Sequence, residues 1–156
     1  ANWRRALNSL QRRPLETLSK KRIDADALRG KISLFYFFSK DCKPCLLKMP
    51  YLNKLRRAIG VESIHFVAIT SDPRSIAAEV VQKLNFEWAV APDAHALMKV
   101  LGVETLPTTV VCSPDGTLKR ARIGSVMAGE TEDERLKRDL QWIFGANSEI
   151  SAKKAN

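Results

Sequence analysis

Cys42-Lys43-Pro44-Cys45 holds the residues of this chain whose types and spacing could do chemistry. Two intervening residues let the second sulfur reach the first with little backbone movement. The thiolate, not the thiol, is the nucleophile in thiol–disulfide exchange, so the chemistry needs one cysteine that ionises readily. The pair follows the apolar run Ile32-Ser33-Leu34-Phe35-Tyr36-Phe37-Phe38, which predicts a buried strand ending in a short loop and then a helix. Cys42 would lie at that helix N-terminus, where unpaired N–H groups and the helix dipole favour negative charge. Pro44 suits the first helical turn, because its missing N–H would have had no partner there. Lys40 and Lys43 are candidate thiolate stabilisers, and the Asp41 carboxylate opposes them.

The other titratable candidates are weaker. A zinc site from Cys42, Cys45, Cys112 and either His65 or His95 can be drawn, but no histidine has ligand-like spacing to a cysteine. No metal and no cofactor is therefore expected. Cys112 falls in a predicted buried strand and reads as a core thiol. His65 and His95 read as surface or packing residues, and Trp88 and Trp142 as side chains packed on a sheet.

The elements that must position the cysteines follow from periodicity and punctuation. Ile32 to Phe38 is apolar on both faces, the pattern of a central strand covered on two sides. Cys45 to Ile59 reads as a helix stopped by Gly60, with Leu46, Leu47, Leu52, Leu55 and Ile59 for burial and a kink at Pro50. Ile64 to Thr70 is a second strand, closed by Ser71-Asp72-Pro73, a cap with proline at the first helical position. A helix to about Leu84, a short strand from Glu87 to Ala91 and a short helix from Ala94 to Leu101 follow. Thr108 to Ser113 and Thr117 to Ile123 form a hairpin about Pro114-Asp115-Gly116. Thr131-Glu132-Asp133-Glu134 is a capping box opening a helix to about Phe144, with Leu136, Leu140, Ile143 and Phe144 as its buried stripe. This order predicts an α/β domain with a mixed sheet and helices on both faces.

The chain has 156 residues and is 45% hydrophobic, which suits one globular domain with a real core. It carries no apolar run of about 18 residues, the length that crosses a bilayer. The formal charge is +9, and residues 1–30 hold eight basic side chains (Arg4, Arg5, Arg12, Arg13, Lys20, Lys21, Arg22, Arg29) against three acids. Residues 3–20 fit helical spacing in part, interrupted by Pro14, and read as a solvated basic extension. Such an arm could touch an anionic membrane surface or an acidic partner. No interleaving of basic and aromatic residues points to nucleic acid. The numbering begins at Ala1 rather than Met, so a removed N-terminal signal or anchor is expected.

The element order, with the cysteines at the first strand–helix junction, resembles the thioredoxin fold. Pro50 stands five residues after Cys45, where thioredoxin-like proteins carry the proline that kinks the active-site helix. Leu106-Pro107-Thr108 precedes the hairpin, where the family has its cis-proline loop opposite the cysteines. Glu62 to Leu101 supplies an extra strand and helix, as in the TlpA/ResA-like branch of extracytoplasmic thioredoxins. Leu28-Arg29-Gly30-Lys31 and Leu101-Gly102-Val103 are similar to that branch as well. The resemblance covers about residues 28–145, leaving 1–27 as a basic extension and 146–156 as a flexible tail.

The resemblance implies a protein disulfide oxidoreductase in the periplasm or another extracytoplasmic compartment, membrane-anchored if the removed segment was an anchor. Cys42 would attack a substrate disulfide, Cys45 would resolve the intermediate, and Leu106, Pro107 and Thr108 would shape the substrate groove. Its partners would be proteins with cysteine thiols or disulfides, such as those awaiting cytochrome c maturation, and a membrane electron carrier. Three positions depart from the family. Asp41 replaces a tryptophan, Tyr36 replaces an acidic or polar residue under the site, and Lys48 replaces a glutamate of the ResA-like group. No carboxylate is then placed to take the proton from Cys45. A disulfide-forming oxidant, a thiol peroxidase built on Ser39-Lys40-Asp41-Cys42 and a non-catalytic binding module docking through the basic arm are the alternatives.

Overall fold

The apolar run at 32–38 becomes the middle strand of a five-stranded mixed sheet. The computed structural model describes residues 3–124 and 129–145. In chain order the elements are α1 (Trp3–Arg12), β1 (Leu15–Glu16), β2 (Arg22–Ile23), β3 (Ile32–Phe38), α2 (Lys43–Ile59), β4 (Ile64–Thr70) and α3 (Arg74–Leu84). There follow β5 (Ala89–Ala91), α4 (His95–Leu101), β6 (Thr108–Cys112), β7 (Leu118–Ile123) and α5 (Glu132–Phe144). The sheet order is β5-β4-β3-β6-β7, with β4 parallel to β3 and to β5, and antiparallel pairing from β3 through β6 to β7.

Successive side chains of β3 point to opposite faces, so the apolar stretch from Leu34 to Phe38 serves two cores. Leu34, Tyr36 and Phe38 pack with α2, α3 and α5. Phe35 and Phe37 pack with α1, α4 and the small β1–β2 hairpin. The capping box forms as expected: Thr131 Oγ1 accepts from the Glu134 N–H at 3.2 Å, and Glu134 Oε2 accepts from the Thr131 N–H at 3.1 Å.

The N-terminal segment differs from the solvated extension predicted for residues 1–27. Ala6 and Leu10 are buried against the second core, and Leu15 and Ile23 pair across the β1–β2 hairpin and close over it. Arg4, Arg5, Arg12 and Arg13 do face solvent. The charge count pointed outward, and the apolar stripe of the same helix decided where it sits. The expected strand at 87–91 begins only at Ala89. Glu87 spends its N–H on Asn53 Oδ1 at 2.8 Å, and the Trp88 indole donates to the Leu52 carbonyl at 2.9 Å. The tail expected at 146–156 lies outside the described residues.

Candidate active site

Phe38 ends β3 at the edge of the two cores, and residues 39–42 carry the chain into α2. The turn is held by its own backbone: the Cys42 N–H donates to the Ser39 carbonyl at 3.1 Å, and the Asp41 N–H donates to Ser39 Oγ at 3.2 Å. A second clamp comes from the neighbouring strand. Asp72 Oδ2 accepts from the Lys40 N–H at 2.7 Å, while the Asp72 N–H donates to Thr70 Oγ1 at 3.1 Å. Asp72, expected as part of a helix cap, instead ties the loop after β4 to the loop after β3. Pro73 occupies the N-cap of α3, with no side-chain cap bond. The clamp depends on parallel register that sets Phe38 beside Thr70, which no local pattern reveals.

Cys42 is the N-cap of α2, and its sulfur accepts from the Cys45 N–H at 3.2 Å. The helix starts two residues before the predicted Cys45, with Pro44 in its first turn. Cys42 and Cys45 are joined as a disulfide with Cα atoms 5.2 Å apart. Their exposure is unequal: Cys42 is half-buried, whereas Cys45 is 0% exposed. Lys40, Asp41, Lys43 and Pro44 surround the pair and are all exposed.

Leu106, Pro107 and Thr108 come to the same end of the sheet. Thr108 opens β6 beside Phe37, so the residues before it flank the end of β3 from which the cysteine loop departs. The Leu106–Pro107 peptide is cis. The Pro107 carbonyl accepts from the Gly124 N–H at 2.9 Å, and Thr108 Oγ1 donates to the Thr105 carbonyl at 2.6 Å. The backbone of half-buried Leu106 has no partner among the described residues.

Beneath the cysteines lies a polar layer only partly visible in the sequence. Tyr36 is 0% exposed, and its hydroxyl donates to the Cys45 carbonyl at 2.8 Å. Burial pushes that phenol well above its ordinary pKa, so it stays protonated. Lys48 is 4% exposed, with Nζ 6.0 Å from the centroid of the Tyr36 ring. Burial, then the nearby Arg122 guanidinium, pushes its ammonium down to about 8, and Asp139 opposes them.

Asp139, which sequence reasoning missed, is fully buried on α5. Its carboxylate accepts from the Tyr51 hydroxyl at 2.7 Å, from Arg122 at 2.8 Å and from Arg138 at 3.3 Å. An acid beside Leu140 on the apolar stripe of α5 was the available signal. Arg122 also stacks on Trp142, 4.0 Å from the ring centroid.

The remaining candidates stand apart. Cys112 is buried in the core on the opposite face of the sheet from Cys45, so the three cysteines do not converge. Burial pushes its thiol pKa far up. His65 is half-buried on β4, its pKa lowered by burial and by Lys31 and Lys21, and His95 is exposed at the start of α4. Among the described residues no group of three or more His, Cys, Asp or Glu could hold a metal ion. Nor is any described helix long and apolar enough to cross a membrane.

Known proteins resemble this chain in sequence and fold. A model of the AhpC/TSA family matches residues 9–121. A thiol-disulfide oxidoreductase ResA of Bacillus cereus is 30% identical over 130 residues, covering 81% of this chain and 71% of its own. Among solved structures, a secreted Mycobacterium tuberculosis disulfide oxidoreductase homologous to E. coli DsbE superposes with a TM-score of 0.66 at 24% identity, over 84% of this chain and 96% of that one. StoA from Bacillus subtilis gives 0.66 at 18% identity, over 80% and 92%. The family match starts within α1, which agrees with the packing of that helix on the second core. This chain thus belongs to the AhpC/TSA family and is a thioredoxin-fold thiol–disulfide oxidoreductase.

Proposed function

We propose that this protein reduces protein disulfides outside the cytoplasm, with Cys42 as the attacking sulfur and Cys45 as the resolving one. The observation that carries the assignment is the unequal burial of the pair at a helix start: Cys42 is reachable and Cys45 is not. The Cys42 thiolate attacks one sulfur of a substrate disulfide, forming a mixed disulfide and releasing the other sulfur as a thiolate. The Cys45 thiolate then attacks Cys42 Sγ, closing the Cys42–Cys45 bond and releasing the second substrate sulfur. The helix N-terminus and the Cys45 N–H stabilise charge on Cys42 Sγ. Lys40 and Lys43 add positive charge at the rim, and Asp41 tempers it. The backbone of Leu106, unpaired among the described residues, supplies a pairing edge for an extended substrate segment, with Pro107 and Thr108 framing the groove.

The oxidised pair must be recharged by a reductant, and a membrane electron carrier fits a compartment without a thiol pool. The exposed arginines of α1 give the domain a face suited to an anionic membrane surface. The secreted relative supports an extracytoplasmic setting. Substrates in this reading are proteins with paired cysteines, those awaiting cytochrome c maturation among them. Cys45→Ser should accumulate mixed disulfides with such proteins and Cys42→Ser should not; the opposite result would reverse the two roles. The reduction potential of the pair tests the direction. A value near that of thioredoxin, about −270 mV, supports a reductase, and one near about −120 mV would make the protein a disulfide-forming oxidant.

A further inference from the structure

Resolution requires a proton to leave Cys45, and Cys45 is 0% exposed. Bulk water therefore does not reach the thiol directly. The groups beneath it narrow the choice of acceptor. Tyr36 is protonated, and its hydroxyl is committed to the Cys45 carbonyl at 2.8 Å. Asp139 is engaged by Tyr51, Arg122 and Arg138.

Lys48 is different. It lies three residues beyond Cys45 on α2, a spacing that puts two side chains on one helix face. It is buried, enters no ion pair among the described residues, and stands over the ring of the tyrosine that holds Cys45. Thr109, set beside Tyr36 by strand register and beside Arg122 on its other side, has a buried hydroxyl with no hydrogen-bond partner among the described residues. An amine and a hydroxyl with spare capacity thus share one layer with the Cys45 backbone.

We infer that Lys48, as the neutral amine, accepts the Cys45 thiol proton when the mixed disulfide is resolved. The inference rests on the proposed roles of Cys42 as attacker and Cys45 as resolver. In the step, the S–H bond of Cys45 breaks, its proton joins the Lys48 nitrogen, and the sulfur keeps the electron pair. That pair forms the bond to Cys42 Sγ, and the Cys42–substrate bond breaks with its electrons going to the substrate thiolate. The substrate thiolate takes up a proton from solvent, and the Lys48 ammonium returns its own.

The surroundings suit this role. Arg122 on β7 and Arg135 and Arg138 on α5 act on the amine with like charge, Asp139 on α5 with opposite charge, and Tyr36 on β3 faces it as a neutral ring. With burial and the arginines outweighing Asp139, the ammonium is held at about 8. At pH 7 roughly a tenth of such amines are neutral, about 300-fold more than for an ordinary lysine.

The test uses the full reduced chain and 5,5′-dithiobis(2-nitrobenzoate), followed by stopped flow across pH 6 to 9.5. Attack by Cys42 releases the first thionitrobenzoate, and resolution by Cys45 releases the second. Lys48→Met should slow the second phase at least tenfold at pH 7 and move its pH midpoint upward, leaving the first phase within twofold. Lys48→Arg, which keeps the charge but does not accept a proton, should remain slow. A wild-type second phase and pH profile in the methionine variant would overturn the inference. So would full rescue by arginine, which would make Lys48 a fixed charge, or equal slowing of both phases, which would make it structural. Loss of the first release in Cys45→Ser would instead overturn the assignment of Cys42 as attacker.

Discussion

Replacing Lys48 by methionine removes a buried ammonium from a site that holds it at about 8 against 10.5 for an exposed lysine. A cation whose folded-state pKa lies below its unfolded value weakens the native state at every pH below the lower of the two. The deficit recedes as pH rises toward the upper value. The gap of about 2.5 pH units corresponds to about 3 kcal/mol at pH 7; at pH 9.5 about one unit remains, or about 1.4 kcal/mol. The packing of methionine differs from that of lysine by the same amount at both pH values and cancels in the comparison. Urea denaturation of the oxidised wild type and Lys48→Met at pH 7.0 and 9.5 should therefore show the variant's advantage shrinking by about 2 kcal/mol. Tyr36 and Tyr51 are present in both proteins, so the partial ionisation of unfolded tyrosine at the upper pH cancels in the comparison. An advantage that stays constant within about 0.5 kcal/mol between the two pH values would show that Lys48 titrates as a solvated lysine, and the electrostatic argument would fail. If the advantage shrinks while resolution slows, the buried amine is a case of stability given up for chemistry.

Three further outcomes follow from the packing. Asp139→Ala leaves the buried Tyr51 hydroxyl unpaired and strips Arg122 and Arg138 of their shared partner. Those arginine side chains are 25% and 31% exposed, so the loss should fall near the lower end of the range for a broken buried pair, about 3 kcal/mol by chemical denaturation. Leu10→Ala should cost about 2–4 kcal/mol in the same assay, because Leu10 is 2% exposed in the second core; no change would return α1 to the status of a solvated arm. In the reduced native protein at pH 8, 5,5′-dithiobis(2-nitrobenzoate) should release two equivalents of thionitrobenzoate, one from attack by Cys42 and one from resolution by Cys45, while buried Cys112 adds a third only in denaturant. A third native equivalent would show that its strand opens.

The parts of the fold written in local pattern were legible. The largely apolar run at 32–38, Pro44 at a helix start and the Thr131–Glu134 capping box each depend on neighbours within a few positions, and each forms where it was expected. The cysteines, Pro50 and Leu106-Pro107-Thr108 supplied a resemblance that named the chemistry. The bonds around the site were not legible in the same way. Asp72 looked like a helix cap because its bond to Lys40 requires β3 and β4 to lie side by side. Asp139 was not singled out at all, because its partners Tyr51, Arg122 and Arg138 converge on it from α2, β7 and α5 itself.

Residues 3–20 show the same division within one segment. Their spacing was enough to suggest a helix broken at Pro14, but not which surface it would cover. Apolar side chains of β3 on the second face needed a lid, and α1 with α4 provides it.

By itself, then, the sequence determined a redox pair at the head of a helix, carried by an α/β sheet, because residue type and short spacing fix dihedral preference and thiol reach. Only the tertiary structure decided which cysteine is reachable, what lies beneath the other, and that a buried lysine with a lowered pKa stands there. Burial and the field of distant charges arise from side chains brought together by register and packing, and no single stretch of sequence contains them.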